Sequence, residues 1–314
     1  MKLINDDCIS AMKELIDENV QVELILTDPP YGTINGLDLK GWNNETTKWD
    51  NTLPDEFFQL CEQLLRVNGK MILFSQEPYT SELRATHRQS LQFAYPLYWF
   101  KDHFANPLAS KKAPVNYVED MSVFAKRYDT EGKNPIRQYA NRLIKDIGKN
   151  KKEINEELGY YGVSHFFTSV TAIQFGLCSE KTYNKLIELY NIDKLDYYLP
   201  YEEMKQINDE FIIESRFNLW NGEKVKSNVF KYKKPYNNYH PTEKPVALLV
   251  DLIRTYSNPN DTILDFTMGS GSTGVAAMRT GRDFIGIEIN PEYFSIAKQR
   301  IGKAKVQKTL GGYE

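Results

Sequence analysis

The tetrapeptide Asp28-Pro29-Pro30-Tyr31 closes a short apolar run, Val22-Glu23-Leu24-Ile25-Leu26-Thr27, and constrains this chain more than any other stretch. The run reads as a buried strand, because β-branched and leucine residues fill it and a breaker pair ends it. Two prolines beyond its end stiffen the backbone, remove two N–H donors and leave carbonyls facing outward. An acid, a rigid carbonyl and an aromatic ring are therefore expected together at the C-terminal edge of a sheet, where open α/β folds keep their ligands. That set suits a flat, amine-bearing ring: two acceptors for the amino hydrogens and one face for stacking. A plain proline turn after a strand is the competing reading.

With 314 residues, 41% apolar and 26% charged, the chain has material for one large α/β domain, or for such a domain with an insertion. No apolar stretch approaches a membrane span and the N-terminus lacks a signal pattern, so a cytoplasmic protein without a membrane partner is expected. Cys8, Cys61 and Cys178 are odd in number and far apart, and the four histidines show no ligand spacing, so neither disulfides nor a metal is expected. The net charge of −3 does not advertise nucleic acid, but one basic face on an acidic body is enough to bind phosphates. Basic residues gather between Lys111 and Lys152, including Lys149, Lys151 and Lys152, and again at Lys224, Lys226, Lys231, Lys233 and Lys234. Such runs are commonly solvated surface. Tyr232, Tyr236 and Tyr239 interleave with the second cluster and favour a nucleic-acid groove.

The opening reads as strand (Lys2 to Asn5), helix (Cys8 to Asp17) and strand (Val22 to Thr27). Residues 32–53 form a polar, glycine-rich loop too long for a simple connection; its Trp42 and Trp49 belong to a lid or to the core. A helix from Pro54 to Arg66, ended by Asn68-Gly69, precedes strands at Met71 to Phe74, Tyr95 to Phe100 and Tyr117 to Ala125. From Asp129 to about Asn221 the pattern turns helical and polar, as an inserted subdomain would. Within it, Lys151 to Gly159 followed by Val163 to Thr168, with Ser164 and His165, reads either as a helix-turn-helix reader or as an ordinary helical hairpin. The α/β rhythm returns with a helix at Pro245 to Thr255, a strand at Thr262 to Leu264, a helix at Val275 to Thr280, a strand at Phe284 to Ile287 and a helix at Pro291 to Ile301. The tail from Lys303 is expected to fray.

The segment Ile263-Leu264-Asp265-Phe266-Thr267-Met268-Gly269-Ser270-Gly271 is a strand, an acidic turn, then glycines opening a helix. Glycines there let the backbone pass close to a nucleoside, and helix N–H groups point at its polar end. Glu288 closes the next strand, where a carboxylate can accept both ribose hydroxyls. Asp265 would repel phosphate but suits a cationic end, which points to S-adenosylmethionine rather than NAD or ATP. Upstream, in His240-Pro241-Thr242-Glu243-Lys244-Pro245, Thr242 is a candidate N-cap, and Lys244 either supports this turn or meets the methionine carboxylate.

In this order of motifs the chain resembles the β-class amino-methyltransferases of DNA, which act on N6 of adenine or N4 of cytosine. The resemblance implies a class I methyltransferase-like, doubly wound α/β fold with a mostly parallel sheet and permuted motif order. Residues 1–128 would form the catalytic half, 129–222 an inserted helical target-recognition subdomain, 223–301 the cofactor half and 302–314 a tail. It also implies Asp28, Pro29, Pro30 and Tyr31 at the reacting amine. Asp7, Thr27, His240, Thr242, Lys244, Asp265, Phe266, Gly269, Ser270, Gly271 and Glu288 would surround S-adenosylmethionine. Lys149, Lys151, Lys152, Ser164, His165, Lys231, Lys233 and Lys234 are the candidate contacts to double-stranded DNA. The first motif residue, Asp28, favours adenine over cytosine. A methyltransferase of RNA or protein, or an inactive DNA-binding relative, is the rival reading. In the former the Pro-Pro-Tyr motif follows the glycine turn rather than preceding it, and the intact Asp28 and Gly269-x-Gly271 argue against the latter. A monomer and a homodimer both remain open.

Overall fold

In this computed structural model the described residues are 1–32, 50–86, 88, 90–105, 111–129, 132–169, 172, 174–214, 216–235 and 243–310. The strands are β1 (Lys2–Ile4), β2 (Val22–Thr27), β3 (Leu65–Ser75), β4 (Leu91–Ala105), β5 (Asn116–Lys126), β6 (Val229–Lys231), β7 (Thr262–Asp265) and β8 (Asp283–Ile287). The helices are α1 (Cys8–Asp17), α2 (Glu56–Leu64), α3 (Tyr79–Ala85), α4 (Pro135–Ile147), α5 (Lys151–Leu158), α6 (Glu180–Tyr190), α7 (Tyr201–Phe211), α8 (Val246–Tyr256), α9 (Ser272–Thr280) and α10 (Pro291–Leu310). They divide between two compact units, Met1–Lys126 with Ser215–Glu314, and Arg127–Glu214.

The first unit is a doubly wound α/β body. Its eight strands pair in the order β1-β8-β7-β2-β3-β5-β4-β6. β5 runs antiparallel to both neighbours, and the other pairs are parallel. Leu24, Leu26, Ile72 and Phe74 pack on one face beneath α8, α9 and α10. Ile25, Met71 and Leu73 pack on the other beneath α1, α2 and α3. Burial on both faces explains why β2 reads as a continuous apolar run rather than as an alternation. The pairing brings the C-terminal ends of β1, β2, β3, β4, β6, β7 and β8 to one edge, where the conspicuous sequence motifs collect.

Three expectations change here. Asn68-Gly69 does not end a helix, because α2 stops at Leu64 and β3 starts at Leu65. Val22 pairs with Leu65 but Leu24 with Lys70, so this segment is a bulge. Asn68 takes φ +70°, and a Cβ on Gly69 would lie 2.8 Å from Arg66 O and 2.9 Å from Glu23 O. The tail expected from 302 is instead helix as far as Leu310, with Ala304 buried against the body; residues 311–314 lie outside the described residues. The insertion is also shorter than 129–222. Asn218 donates from its backbone to Thr255 O at 2.7 Å and from Nδ2 to Arg254 O and Ser257 O, both at 3.0 Å. It thereby satisfies carbonyls at the end of α8 and joins the α/β body.

The second unit is helical. Ile136, Leu143, Ile154, Phe166, Tyr183 and Met204 form its core. Asn134 caps α4 ahead of Pro135, and Asn150 and Glu153 form a capping box on α5. Gly148 and Gly159 end these helices in the left-handed conformation. The second short helix, which both the helix-turn-helix and the helical-hairpin readings require, does not form. Val163 to Phe167 is a turn closed by Phe167 N to Val163 O at 2.9 Å. Its Val163, Phe166 and Phe167 are buried, so the segment packs the core instead of presenting a reading helix.

Among the described residues no helix is long and apolar enough to cross a membrane, and no cluster of His, Cys, Asp and Glu could hold a metal. The three cysteines are free, buried thiols.

Candidate active site

At the end of β2, Asp28 turns its carboxylate, 22% exposed, into a cluster of charges. Oδ1 accepts from the Tyr31 hydroxyl and Oδ2 from Lys244 Nζ. Lys244 also pairs with Glu119 Oε1 at 2.9 Å, and the Tyr31 hydroxyl lies 3.1 Å from that same oxygen. The other Glu119 oxygen pairs with Lys101 at 2.5 Å. Two carboxylates thus meet two ammoniums, with a phenol between the acids. Burial raises the pKa of Asp28 against the pull of Lys244. Burial also opposes ionisation of Glu119, but Lys244 and Lys101 outweigh it and bring that pKa down to about 2. Burial tends to discharge Lys244, yet Asp28 and Glu119 together hold it charged. A spare proton in this cluster therefore belongs on Asp28 and not on Glu119.

The chain beyond Tyr31 is pinned by Asp50, whose Oδ1 accepts from Tyr31 N at 2.9 Å and Gly32 N at 3.1 Å. A cavity of about 500 Å³, lined by Tyr31, Asp50, Tyr79 and Glu82 among others, opens beside it.

The neighbouring strand ends carry a second set of acids. Asp265, at the end of β7, accepts from Thr27 Oγ1 at 2.8 Å and from Thr267 N at 3.2 Å. Burial lifts its pKa to about 6 in spite of bonds from Thr273 and Thr27. Thr267 Oγ1 in turn donates to Asp28 O at 3.1 Å, so one hydroxyl ties the glycine turn to the Asp28 backbone. Glu288, just past β8, accepts from Gly269 N at 2.9 Å and Asn290 N at 2.8 Å, while burial raises its pKa. Asp7 is the N-cap of α1 and accepts from Ile9 N and Ser10 N, both at 3.1 Å.

The turn is shaped by its glycines and held from behind. Gly269 and Gly271 adopt φ +51° and +83°. A Cβ on Gly271 would stand 2.8 Å from Ala297 Cβ, so only glycine lets α9 start this close to α10. Arg300 Nη1 donates to Ser270 O and Oγ, both at 2.7 Å, and its other nitrogen pairs with Glu243. Phe266 is core, 5.9 Å from Phe57 between ring centroids. Exposed Asp7, half-buried Glu288 and buried Asp265 fit a ligand with a cationic end and hydroxyls and no phosphate. S-adenosylmethionine meets that description.

Lys244 thus lies on Asp28 and Glu119 rather than at the glycine turn. His240, Thr242, Trp42 and Trp49 lie outside the described residues. Lys231 is on β6, and Lys233 and Lys234 follow it. In the helical unit, Lys149 is paired with Glu157 and lies over the Tyr190 ring, and Lys152 lies 3.9 Å from Glu156. Lys151 and His165 are exposed, and Ser164 Oγ accepts from Asn155 Nδ2 at 3.1 Å. Sequence reasoning passed over Glu119, Lys101, Glu243 and Arg300. The available signal was a charge placed inside, or at the end of, an apolar strand: Glu119 in β5 and Lys101 in β4.

The N6/N4 family profile described as DNA methylase matches residues 22–299. Type II methyltransferase M2.LlaDCHI of Lactococcus lactis subsp. cremoris is 40% identical over 113 residues, 36% of this chain and 39% of that protein. DNA adenine methyltransferase YhdJ of Escherichia coli (strain K12) is 44% identical over 91 residues, 27% of this chain and 31% of that protein. The matched stretches thus span less than half the length of either relative. The crystal structure of an M1.HpyAVI–SAM complex superposes with a TM-score of 0.55 at 20% identity, covering 95% of this chain and 98% of that one, which shows a shared fold. With the family profile running through Asp28, Lys244, the glycine turn and Glu288, this chain belongs to the N6/N4 DNA methylase family.

Proposed function

We propose that this chain transfers a methyl group from S-adenosylmethionine to the exocyclic N6 of adenine in double-stranded DNA, on a base flipped out of the helix. The observation that carries this reading is the Asp28 carboxylate, which already accepts from a nitrogen donor, the Lys244 ammonium, beside an acid-lined glycine turn. S-adenosylmethionine, when bound, would supply an electrophilic methyl group, whose bond to sulfur breaks as its bond to nitrogen forms, the sulfur departing as a neutral thioether. Asp265 and Glu288 bind its cationic and hydroxyl groups, with Asp7 at the same edge of the sheet.

Adenine's amino nitrogen is a weak nucleophile because its lone pair is delocalised into the ring. Asp28 and the Pro29 carbonyl accept its two hydrogens and favour a localised lone pair, and positioning supplies much of the acceleration. Pro30 keeps that carbonyl rigid. Tyr31 holds one oxygen of Asp28 and Lys244 the other, so the amine takes a remaining lone pair of the same carboxylate. As the nitrogen takes the methyl it sheds one hydrogen as a proton. Asp28, whose affinity for protons burial raises, accepts it. Lys244 and Glu119 position Asp28.

Adenine is favoured by Asp28 at the first motif position, and similarity over part of the chain to the DNA adenine methyltransferase YhdJ agrees. Sequence choice is assigned to the helical unit, with its exposed Lys151 and His165, and the reaction to the cytoplasm, where the DNA is. The type II names among the relatives favour a restriction-modification setting. Nucleosides from DNA of cells expressing the chain, identified by mass, test the base. Methyladenosine is expected; methylcytidine without it replaces N6 by N4 and leaves the amino-methyl reading standing.

A further inference from the structure

β4 and β5 run on past the charge cluster around Asp28. Lys101 and Glu119 mark its level, and β4 continues to Ala105 while β5 begins at Asn116. β4 bulges between Phe100, which pairs with Val118, and Ala105, which pairs with Asn116. At ~3.3 Å per residue along β5, Tyr117 stands roughly 7 Å beyond Glu119, with Phe104 of the bulge against its ring. This overhang is aromatic and open to solvent. Phe100 is 46% and Tyr117 37% exposed. Phe100 and Tyr117 stack at 6.5 Å between centroids, Phe104 meets Tyr117 edge-on at 5.9 Å, and His103 meets Phe104 at 4.5 Å.

Exposed apolar rings of this kind call for a partner, and the charges around them select which one. Lys111 and Lys112, in the connection between β4 and β5, are exposed. Along the other side of β4, Phe100 pairs with Lys231, and Lys234 N donates to Asp102 Oδ1 at 2.8 Å. Exposed Lys231 and Lys233 therefore flank the same overhang. Rings interleaved with lysines beside the charge cluster fit stacked bases on an anionic backbone, and fit poorly to an apolar protein face.

We propose that the β4–β5 overhang is a base-stacking platform. Phe104 and Tyr117 pack against the bases left exposed when the target nucleotide leaves the duplex, while Lys111, Lys112, Lys231 and Lys233 hold the flanking phosphates. This assigns the DNA contact nearest the chemistry to the α/β body itself. It rests on DNA being the substrate.

The experiment uses the full chain and a duplex containing the methylated site mapped in expressing cells, with 5-iodouracil placed on either side of the target. Long-wavelength irradiation followed by peptide mass mapping should recover crosslinks at Phe104 or Tyr117. The double variant Phe104→Ala/Tyr117→Ala should bind that duplex ~10-fold or more weakly, with cofactor affinity unchanged. Lys111→Ala/Lys112→Ala should lower the salt slope of binding by about one to two. Crosslinks confined to other segments, or wild-type duplex affinity in the aromatic variant, overturn the platform. So does a chain that dimerises in sedimentation and becomes monomeric in that variant, because the face then serves a second copy. A wild-type chain that leaves DNA unmethylated removes the underlying reading instead.

Discussion

Lys244 Nζ is hydrogen-bonded to Asp28 Oδ2, although 216 positions of sequence separate the two residues. The contact joins the motif of the first half of the chain to the motif that opens the second. It places an ammonium where the proposed mechanism needs a substrate amine. Lys244 and the target amine therefore share one carboxylate, whose lone pairs serve more than one donor.

Substitutions at the two ends of this contact should separate chemistry from cofactor binding. Asp28→Ala is expected to lower methyl transfer by roughly 100-fold or more, with cofactor affinity nearly unchanged by calorimetry. Lys244→Met leaves Asp28 and Glu119 facing each other without their shared cation, and should cost about 3–5 kcal/mol in urea unfolding. Turnover should fall with it while cofactor affinity holds. A variant that turns over normally but binds cofactor weakly would return Lys244 to the methionine carboxylate.

Asp265 gives a prediction in which stability and function move in opposite directions. Its pKa is raised from 3.8 to about 6, so the folded state prefers the protonated form. Stability is therefore lost as pH rises between those values, and the cost stays constant above them. Asp265→Asn should be neutral or stabilising in thermal unfolding above pH 6, yet weaken cofactor binding. Wild-type cofactor affinity should fall as pH drops through about 6, and the variant should lack that step. Glu288→Gln should also weaken cofactor binding, since its carboxylate accepts from Gly269 N.

Glu119 gives the opposite sign. Its pKa falls from 4.5 to about 2, so its contribution is fully present above 4.5 and lost as pH drops towards 2. Wild type should lose up to about 3 kcal/mol relative to Glu119→Gln across that window, read from urea unfolding at successive pH values. Parallel pH profiles for the two proteins would show that Glu119 is not held ionised by Lys101 and Lys244.

Exchange of residues 127–214 tests the assignment of sequence choice to the helical unit. Its replacement by the corresponding segment of a related enzyme should move the methylated site and leave the kind of methylated base unchanged. Base-resolution sequencing of modified DNA reads both. A site that stays with the α/β body would transfer recognition to that body.

The sequence alone determined the strand ends that bear the chemistry. Val22 to Thr27 is apolar because both faces of β2 are covered, and Asp28-Pro29 has to leave the sheet where it does because proline cannot continue the ladder. Gly269 and Gly271 announced a turn whose positive φ values and close helix approach exclude side chains. These signals are local, so they survive without knowledge of the fold. Apart from Tyr31, the charges around Asp28 are not local. Glu119, with Lys101 paired to it, joins the cluster only because β5 inserts antiparallel between β3 and β4, a pairing set by the whole sheet. Tertiary burial also overrode local appearance twice. Asn68-Gly69 carries a turn signature but serves as a bulge inside β3, and Val163 to Phe167 gave up a second helix to fill a core. Local preferences amount to a few tenths of a kcal/mol per residue, whereas burying one Phe or Val side chain contributes roughly 1.5–3 kcal/mol, so packing decides wherever the two conflict.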